Sequence, residues 1–162
     1  MKRILIIGKK SFIGSNLKKY LKKFYKINCF SFEDVIKKDI SFFENFSHVI
    51  DTSIHTNYIN ERYKLINDLD RKFILKFKKI KFIYIFLNTR KIYLPNFNIT
   101  ENSIKKPSCF YSKNKLKTEQ FLKKKLKFKL LSLRTANIIG KKILKNKRNN
   151  HKLFFDNYLV LR

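Results

Sequence analysis

The sequence contains few of the residues that form linkers, disulfides and membrane spans. Its 162 residues include three glycines, two prolines and two cysteines. So little glycine and proline excludes a flexible linker built from them. Cys29 and Cys109 have no metal-ligand spacing and provide no disulfide framework, so we expect no metal site. Because no run of about 18 apolar residues occurs, we expect no membrane-spanning helix, and the cytoplasm is the expected location.

Acidic residues are also scarce, which leaves a large positive charge. The 11 Asp and Glu residues stand against 39 Lys and Arg residues, a net charge of +28. Such a charge favours binding to nucleic acid or to an anionic membrane. However, the lysines are spread along the whole chain. The abundance of Lys, Ile, Asn and Phe, with little Gly, Pro, Ala and Trp, is typical of an AT-rich genome. We therefore expect weak, salt-sensitive attraction to polyanions, without a specific nucleic-acid or membrane partner.

The chain is long and apolar enough to form one domain with a core. Hydrophobic residues make up 44% and aromatic residues 15%, which excludes a disordered chain. Apolar runs predict strands at Ile4–Ile7, Lys26–Phe32, His48–Ser53, Ile80–Leu87 and Phe128–Leu133. Apolar residues at helical spacing predict helices after Gly14, near Ser41–Phe46, over Asn57–Phe77 and over Tyr111–Lys125. The segment Tyr93–Phe110 is predicted to be a long loop. This alternation predicts an α/β fold with a doubly wound parallel sheet.

The first predicted strand leads into a loop with the character of a phosphate-binding turn. Ile4–Ile7 runs into Gly8, and Gly14 opens the following helix, so the helix N-terminus would face an anion. A dinucleotide loop of the Gly-x-x-Gly-x-x-Gly kind would have a third glycine at position 11, where this chain has Ser11. A serine hydroxyl can donate to a phosphate, but serine adopts positive φ less readily. Nucleotide binding and an ordinary strand–turn–helix both remain open.

Two further strand ends carry polar residues. An acidic side chain just after the second strand would hold the adenosine ribose of NAD, but Ser31 lies closest to that position and Glu33 and Asp34 follow out of register. NAD and NADP therefore both remain open. Asp51-Thr52-Ser53 ends the third strand, where ligands bind in parallel sheets, although a helix cap or turn accounts for it equally.

At Tyr111-Ser112-Lys113-Asn114-Lys115 the chain resembles the extended short-chain dehydrogenase/reductases, specifically the NAD-dependent epimerase/dehydratase group and the dTDP-dehydrorhamnose reductases within it. The resemblance spans roughly Lys2 to Gly140 and includes Leu133-Arg134-Thr135-Ala136-Asn137-Ile138-Ile139-Gly140 and the central Asn67. It implies an NAD(P)-binding Rossmann-like domain, NAD or NADP as the cofactor, and a nucleotide-sugar substrate of surface-polysaccharide synthesis.

The resemblance also implies a set of site residues. The catalytic residues would be Thr89, Tyr111 and Lys115. The cofactor would contact Gly8, Ser11, Phe12, Ile13, Gly14, Asp39, Ile40, Ser53, Tyr111 and Lys115. Tyr111 and Lys115 are four positions apart and so share a helix face, where the ammonium would favour the ionised tyrosine for proton exchange with a substrate hydroxyl. Thr89 would orient the substrate oxygen.

The chain departs from the family at three places. Ser11 replaces a glycine, and Asp51 to Ile54 replaces a small apolar run. After the strand matching Arg134, family members carry a substrate lobe, which is largely missing here. We predict an NAD(P)-binding domain over residues 1–140, a short basic remnant over 141–162, and a homodimer or a partner chain that completes the lobe. The alternatives are a non-catalytic Rossmann module acting in binding or assembly and, less favoured, a basic nucleic-acid-binding protein.

Overall fold

The computed structural model describes residues 2–77 and 81–136, and these form one parallel sheet with helices around it. The strands are β1 (Arg3–Ile7), β2 (Lys26–Phe30), β3 (His48–Asp51), β4 (Ile83–Thr89) and β5 (Leu130–Thr135). The helices are α1 (Phe12–Leu21), α2 (Phe32–Ile36), α3 (Thr56–Asn60), α4 (Leu69–Lys76) and α5 (Phe110–Leu126). Short 3-10 helices cover Ile40–Phe43, Leu65–Asn67, Arg90–Ile92 and Lys127–Lys129. The predicted remnant, residues 141–162, and the end of the Leu133–Gly140 motif lie outside the described residues.

The sheet has the strand order β2-β1-β3-β4-β5, and every pairing is parallel. The predicted doubly wound α/β fold is therefore confirmed. The chain leaves β1 towards β2 on one side and later returns to β3 on the other side. Such a reversal opens a crevice at the carboxyl ends of the two central strands, the usual ligand position in this architecture. Here those ends are Ile7 and Asp51, which are paired in register.

One face of the sheet packs against α2, α4 and α5 and forms the main core. Alternate residues of the strands point into it, as the period of two in a strand requires. The largest fully buried side chains there are aromatic: Phe73 of α4 stacks on Tyr84 of β4 at a centroid distance of 5.6 Å. The core also contains Leu5, Ile7, Val35, Val49, Phe82, Phe86 and Leu122. Helix α1 contacts β1 and β2.

The end of β2 corrects one sequence expectation. The strand stops at Phe30 rather than at Phe32. Ser31 ends it because its hydroxyl accepts the backbone N–H of Asp34 at 3.2 Å and so caps α2. The residue nearest to the expected ribose-binding position therefore begins a helix.

The expected helix over Asn57–Phe77 is wrong, because the segment is divided into α3, a 3-10 turn and α4. The break begins at Glu61, whose backbone is extended (φ −120°, ψ 167°), and α4 starts after Asp68, whose side chain accepts the N–H of Arg71 at 2.9 Å. The residues expected on one apolar face separate accordingly. Phe73 is buried, whereas Ile66 is 67% exposed. A helix N-cap has taken priority over continuous helical periodicity.

The second half of the chain follows the prediction more closely. Strand β4 extends two residues past the expected Leu87, to Thr89, and helix α5 extends one residue past the expected Tyr111–Lys125 at each end. Strand β5 begins at Leu130 because a 3-10 turn occupies Lys127–Lys129. The expected loop after Tyr93 contains one isolated bridge, Tyr93 to Lys105. Within the described part of the chain, no helix is both long and apolar enough to cross a bilayer.

Candidate functional site

The loop between β1 and α1 is a tight turn that requires glycine at position 8. The φ of Gly8 is +104°, a conformation that L side chains rarely adopt. Its N–H and that of Lys9 both donate to the Phe30 carbonyl, at 2.8 and 3.0 Å, which ties the turn to the end of β2. A Cβ on Gly8 would lie 2.4 Å from the Thr52 hydroxyl oxygen. The loop therefore approaches the end of β3 more closely than a side chain permits.

Gly14 allows the first turn of α1 to pack onto the same loop. A Cβ at this position would lie 2.5 Å from the Gly8 carbonyl oxygen and 2.7 Å from the Thr52 hydroxyl oxygen. Because both near atoms belong to the turn and the adjacent strand, Gly14 fixes the start of the helix at the carboxyl edge of β1. The predicted roles of Gly8 and Gly14 in a close-packed strand–turn–helix agree with this geometry.

Ser11 does not have the conformation that made it questionable. Its φ is −71°, so no positive φ is needed, and it is the N-cap of α1. The Ser11 hydroxyl accepts the Gly14 N–H at 2.8 Å and lies 2.6 Å from the Thr52 hydroxyl, which donates to the Ile7 carbonyl at 2.7 Å. Because the Thr52 proton goes to Ile7, the Ser11 proton goes to Thr52. In this arrangement the hydroxyl is engaged within the protein.

The first turn of α1 provides the anion-binding features of the loop. The N–H groups of Phe12 and Ile13 belong to the first helical positions, which have no acceptor inside the helix. The first turn contains no acidic residue, and the helix dipole adds positive potential. These N–H groups, rather than the Ser11 side chain, are the donors that an anion in the β1–β3 crevice would meet.

The remaining predicted cofactor contacts are distributed over two connections. Asp39 and Ile40 are exposed between α2 and β3. Ser53 follows β3, and its N–H donates to Asp51 Oδ1 at 2.8 Å. It lies beside the glycine loop, because a Cβ on Gly8 would be 3.0 Å from the Ser53 nitrogen. The structure therefore brings Ser53 to the loop.

Lys115 lies in the interior, where its charged partner is Asp70. Both residues are 5% exposed, and the Lys115 Nζ is 3.7 Å from Asp70 Oδ2. The ammonium also lies over two rings, 4.4 Å from the centroid of Phe86 and 5.7 Å from that of Tyr58. Tyr111, half-buried in the first turn of α5, precedes Lys115 by one helical turn. The acidic partner is a feature that the sequence did not predict.

A chain of hydrogen bonds joins this ion pair to the glycine-loop side of the site. The Tyr84 hydroxyl donates to Asp70 Oδ1 at 2.8 Å and lies 3.5 Å from Asp51 Oδ2. Asp51 in turn accepts from the N–H and hydroxyl of Ser53. Polar contacts therefore run from Ser53 at the loop, through Asp51 and Tyr84, to Asp70 and Lys115.

Burial is the main cause of the pKa shifts in this series of hydrogen-bonded side chains. It raises the pKa of Asp51, and the neighbouring Asp70 carboxylate raises it further. Burial also raises the pKa of Asp70, while the Lys115 ammonium opposes this shift. The pKa of Tyr84 is raised for the same reasons, burial first and then the adjacent carboxylates. Asp51, with its pKa raised to about 8, therefore holds a proton at neutral pH, whereas Asp70, with its pKa raised only to about 6, remains the carboxylate that faces Lys115.

Asp68, the N-cap of α4, is a further buried acid. It is 0% exposed and accepts the hydroxyls of Thr118 at 2.6 Å and Tyr63 at 2.8 Å. The Tyr58 hydroxyl lies 2.6 Å from that of Thr118. These bonds join α3 and α4 to α5. Asp68 and Asp70 lie within the segment predicted as one helix, Asn57–Phe77, where charged residues are usually exposed, so no local pattern indicated their burial.

Thr89 ends β4 at the same sheet edge. It is 7% exposed, and its hydroxyl accepts the Lys91 N–H at 3.3 Å, which caps a 3-10 turn. Beside it, the side-chain nitrogen Nδ2 of Asn88 is buried and finds no hydrogen-bond partner among the described residues. The helix that carries Tyr111 and Lys115 packs against β4 and this turn. The three predicted catalytic residues thus belong to adjoining elements.

Arg134, whose strand was part of the predicted motif, has a structural partner. It donates to Glu119 Oε1 at 2.6 Å, and the Ser132 hydroxyl donates to the same oxygen at 2.8 Å. Glu119 is 1% exposed on α5, and Arg134 also lies 5.3 Å from the centroid of the Tyr93 ring. This cluster fixes α5 to β5 and to the start of the long loop.

Comparison with protein-family models and with curated protein sequences found no match. Solved structures do match. A dTDP-4-dehydrorhamnose reductase from Clostridium acetobutylicum superposes with a TM-score of 0.61 at 21% identity, over 89% of this chain and 57% of the other. The same enzyme from Bacillus anthracis, in complex with NADP, gives 0.65 at 19% identity, over 84% and 54%.

An epimerase shows the same degree of likeness. UDP-glucuronic acid 4-epimerase from Bacillus cereus, in complex with NAD, gives a TM-score of 0.64 at 16% identity, over 83% of this chain and 56% of the other. The expected likeness to short-chain dehydrogenase/reductase structures is therefore confirmed for the fold. The chain spans little more than half the length of these structures.

Proposed function

We propose that this chain binds NAD or NADP in the β1–β3 crevice, as the cofactor domain of a nucleotide-sugar epimerase, dehydratase or reductase. The observation that carries the proposal is the tight turn at Gly8 and Gly14. A side chain at either position would collide with Thr52 or the Gly8 carbonyl, and the turn brings the N-terminus of α1 to the crevice. Backbone N–H groups of Phe12 and Ile13 would receive the pyrophosphate.

In this proposal the other predicted contacts would complete the arrangement. Ser53 lies at the loop, and Asp39 and Ile40, which are exposed between α2 and β3, would face the adenosine. Ser31 at the end of β2 offers no carboxylate to a ribose, so the chain itself favours neither cofactor. The likeness to structures that hold NADP or NAD supports both.

For the reaction, the proposed roles fall to Thr89, Tyr111 and Lys115. The cofactor would accept a hydride from the sugar and return it. Tyr111 would exchange a proton with the substrate hydroxyl, Thr89 would orient the substrate oxygen, and the Lys115 ammonium would favour the ionised tyrosine. The Asn88 Nδ2 beside Thr89, which has no acceptor within residues 2–77 and 81–136, supports a ligand at this edge, because buried donors normally have acceptors.

The nucleotide-sugar substrate requires more polypeptide than the described domain. The match covers only 57% and 54% of the two similar reductase structures. We propose that further polypeptide completes the substrate lobe, either as a second copy of the chain or as a partner. The substrate class itself is inferred from the similar enzymes, and the cytoplasm remains the expected location.

A non-catalytic cofactor-binding or assembly module is the second candidate. Two observations favour it: the Ser11 hydroxyl is engaged by Thr52, and the Lys115 ammonium is paired with Asp70. A module of this kind would keep the glycine loop and bind the nucleotide without turning over a sugar.

Thermal denaturation with millimolar NAD(H) and NADP(H) tests the proposed function. We expect a rise in Tm with at least one cofactor, since a ligand of the native state stabilises it. No rise with any of the four would contradict the proposal. Catalysis is tested with dTDP- and UDP-sugars by the absorbance of the reduced nicotinamide, which a reductase changes, and by chromatography of the sugar nucleotide, which detects an epimerase or dehydratase that returns its hydride. Tyr111→Phe must abolish either change. Cofactor binding without any such change in the wild-type protein would favour the non-catalytic module.

A further inference from the structure

The Lys115 ammonium occupies an environment that is costly for a charge. Its side chain is 7% exposed, and its neighbours Phe86 and Tyr58 present ring faces. Ring faces attract a cation, but they replace few of the hydrogen bonds that water would give. The carboxylate of Asp70, 3.7 Å away, therefore provides the main compensation for burial.

Asp70 is itself held in place from a different element. Its Oδ1 accepts the Tyr84 hydroxyl at 2.8 Å, while its Oδ2 faces Lys115. Tyr84 lies on β4 and is 0% exposed, stacked on Phe73 of α4. The sheet thus fixes one carboxylate oxygen, which leaves the other aimed at the lysine.

We propose that Asp70 is a positioning residue that fixes the place and the charge of the Lys115 ammonium beneath the first turns of α5. The inference deepens the proposed function, on which it rests in one respect: Lys115 is the group expected to act with Tyr111, one helical turn away. A lysine held by a buried carboxylate presents its charge from one position, whereas an unpaired lysine would seek solvent.

The surroundings of Asp70 show how this pair responds to its neighbours. Lys115 faces it from α5, Tyr84 from β4, Asp51 from β3 through Tyr84, and Asp68 from the cap of α4. Burial raises the pKa of Asp70, Lys115 opposes the shift and Asp68 adds to it. Without Lys115 the cluster would contain only acids and a phenol, and without Asp70 the ammonium would lose its nearest counter-charge.

A double-mutant cycle tests the pairing. The variants are Asp70→Asn, Lys115→Met and the double variant, with the exposed Glu44→Gln as the control for a change from carboxylate to amide. Each single variant leaves a buried partner unpaired, so we expect a loss of Tm on the order of 10 °C. The double variant removes both charges and should recover at least half of that loss. Additive losses, or an unchanged Tm in Asp70→Asn, would overturn the inference.

A second measurement separates positioning from general destabilisation. Acylation of Lys115 by an amine-reactive ester is followed by peptide mass spectrometry on the native protein. In Asp70→Asn the rate at Lys115 should rise roughly tenfold or more relative to exposed lysines, because a buried amine without a counter-charge is more readily neutral and nucleophilic. Val35→Ala, a cavity in the core, controls for increased opening. A rise no larger than in Val35→Ala would overturn the assignment.

The two proposals fail in different ways. If wild-type Tm does not respond to any cofactor but the cycle shows coupling, the proposed function fails and the assignment of Asp70 stands. If cofactors raise Tm but the cycle is additive, the assignment of Asp70 fails and the proposed function stands.

Discussion

The two halves of the candidate site depart from the expected pattern in opposite ways. In the glycine-loop half, formed by β1, α1 and the end of β3, Ser11 departs from the pattern but is accommodated by one hydrogen bond to Thr52. In the lysine half, formed by α4, β4 and α5, Lys115 matches the pattern, but its ammonium pairs with a buried acid, Asp70, that the pattern does not contain.

The two halves differ because a sequence motif describes local backbone structure but not the charges around a buried residue. A loop is a local structure, so a substitution within it is absorbed or rejected by atoms a few ångströms away, here the hydroxyl of Thr52. An ionisable residue in the interior depends on charges brought from several elements, so its match to a motif leaves its protonation and contacts undetermined. The comparison predicts large, charge-dependent effects in the lysine half and steric effects in the loop half.

The largest effect is expected at Asp68 in the lysine half. Asp68→Ala leaves the hydroxyls of Thr118 and Tyr63 without their acceptor and removes the cap of α4. The free energy of unfolding should fall by about 3 kcal/mol or more, measured by urea denaturation. Asp34→Ala, at an exposed position in α2, is the control and should change it by less than about 0.5 kcal/mol. Equal effects of the two variants would contradict the buried network.

In the loop half the largest effect is steric. Gly8→Ala places a methyl group at a φ of +104° and 2.4 Å from Thr52 Oγ1. We expect a loss of about 2 kcal/mol in the free energy of unfolding, together with loss of the cofactor-induced rise in Tm. Lys10→Ala, an exposed change in the same turn, should leave both unchanged. A stable Gly8→Ala protein that still responds to cofactor would show that the tight turn is not required.

Asp51 lies between the two halves, and its raised pKa makes the stability of the fold depend on pH. Its pKa is raised from 3.8 to about 8, so the folded state retains a proton that the unfolded chain has released. Stability should therefore fall as pH rises from about 4 to about 8, by at most about 1.4 kcal/mol per pH unit for this one proton. Asp51→Asn should flatten the decline and be the more stable protein at pH 8. Urea denaturation at several pH values measures it, with Asp34→Asn as the control, and parallel curves for wild type and Asp51→Asn would contradict the prediction.

The smallest effect is the coupling between Ser11 and Thr52. Ser11→Gly and Thr52→Ala each lose the bond between the two hydroxyls, and the double variant loses it only once. The double variant should be more stable than the sum of the single changes implies, by about 1 kcal/mol. A chemical-denaturation cycle checks this. Strictly additive losses would contradict the prediction, because they would show no stabilising coupling between the Ser11 and Thr52 hydroxyls.

Much of the fold could be predicted because its signals are local. Apolar runs identify all five strands, and the glycine after β1 identifies the turn. The errors arise where a side chain competes with a periodic pattern. Ser31 shortens β2 by capping α2, and Asp68 interrupts the expected long helix by capping α4. Both are polar residues, and the surrounding structure determines whether such a side chain faces solvent or accepts a backbone N–H.

The candidate site was less predictable because its partners are distant in sequence. Asp70 meets the Tyr84 hydroxyl across 14 residues, and Asp68 meets Thr118 across 50. Acids within a predicted amphipathic helix are normally exposed, so nothing local indicates their burial. Lys115 could be placed on a helix face with Tyr111, but its counter-ion Asp70 meets it only when α4 packs against α5.

Hydrogen–deuterium exchange with and without saturating NADP(H), repeated with NAD(H), tests the central claim most directly. We predict slower exchange in the peptides that contain Gly8–Gly14 and the end of β3, with no change in β5. Gly8→Ala should remove the protection. Unchanged exchange in the glycine loop at millimolar cofactor, or protection confined to other elements, would contradict the assignment of the β1–β3 crevice as the cofactor site.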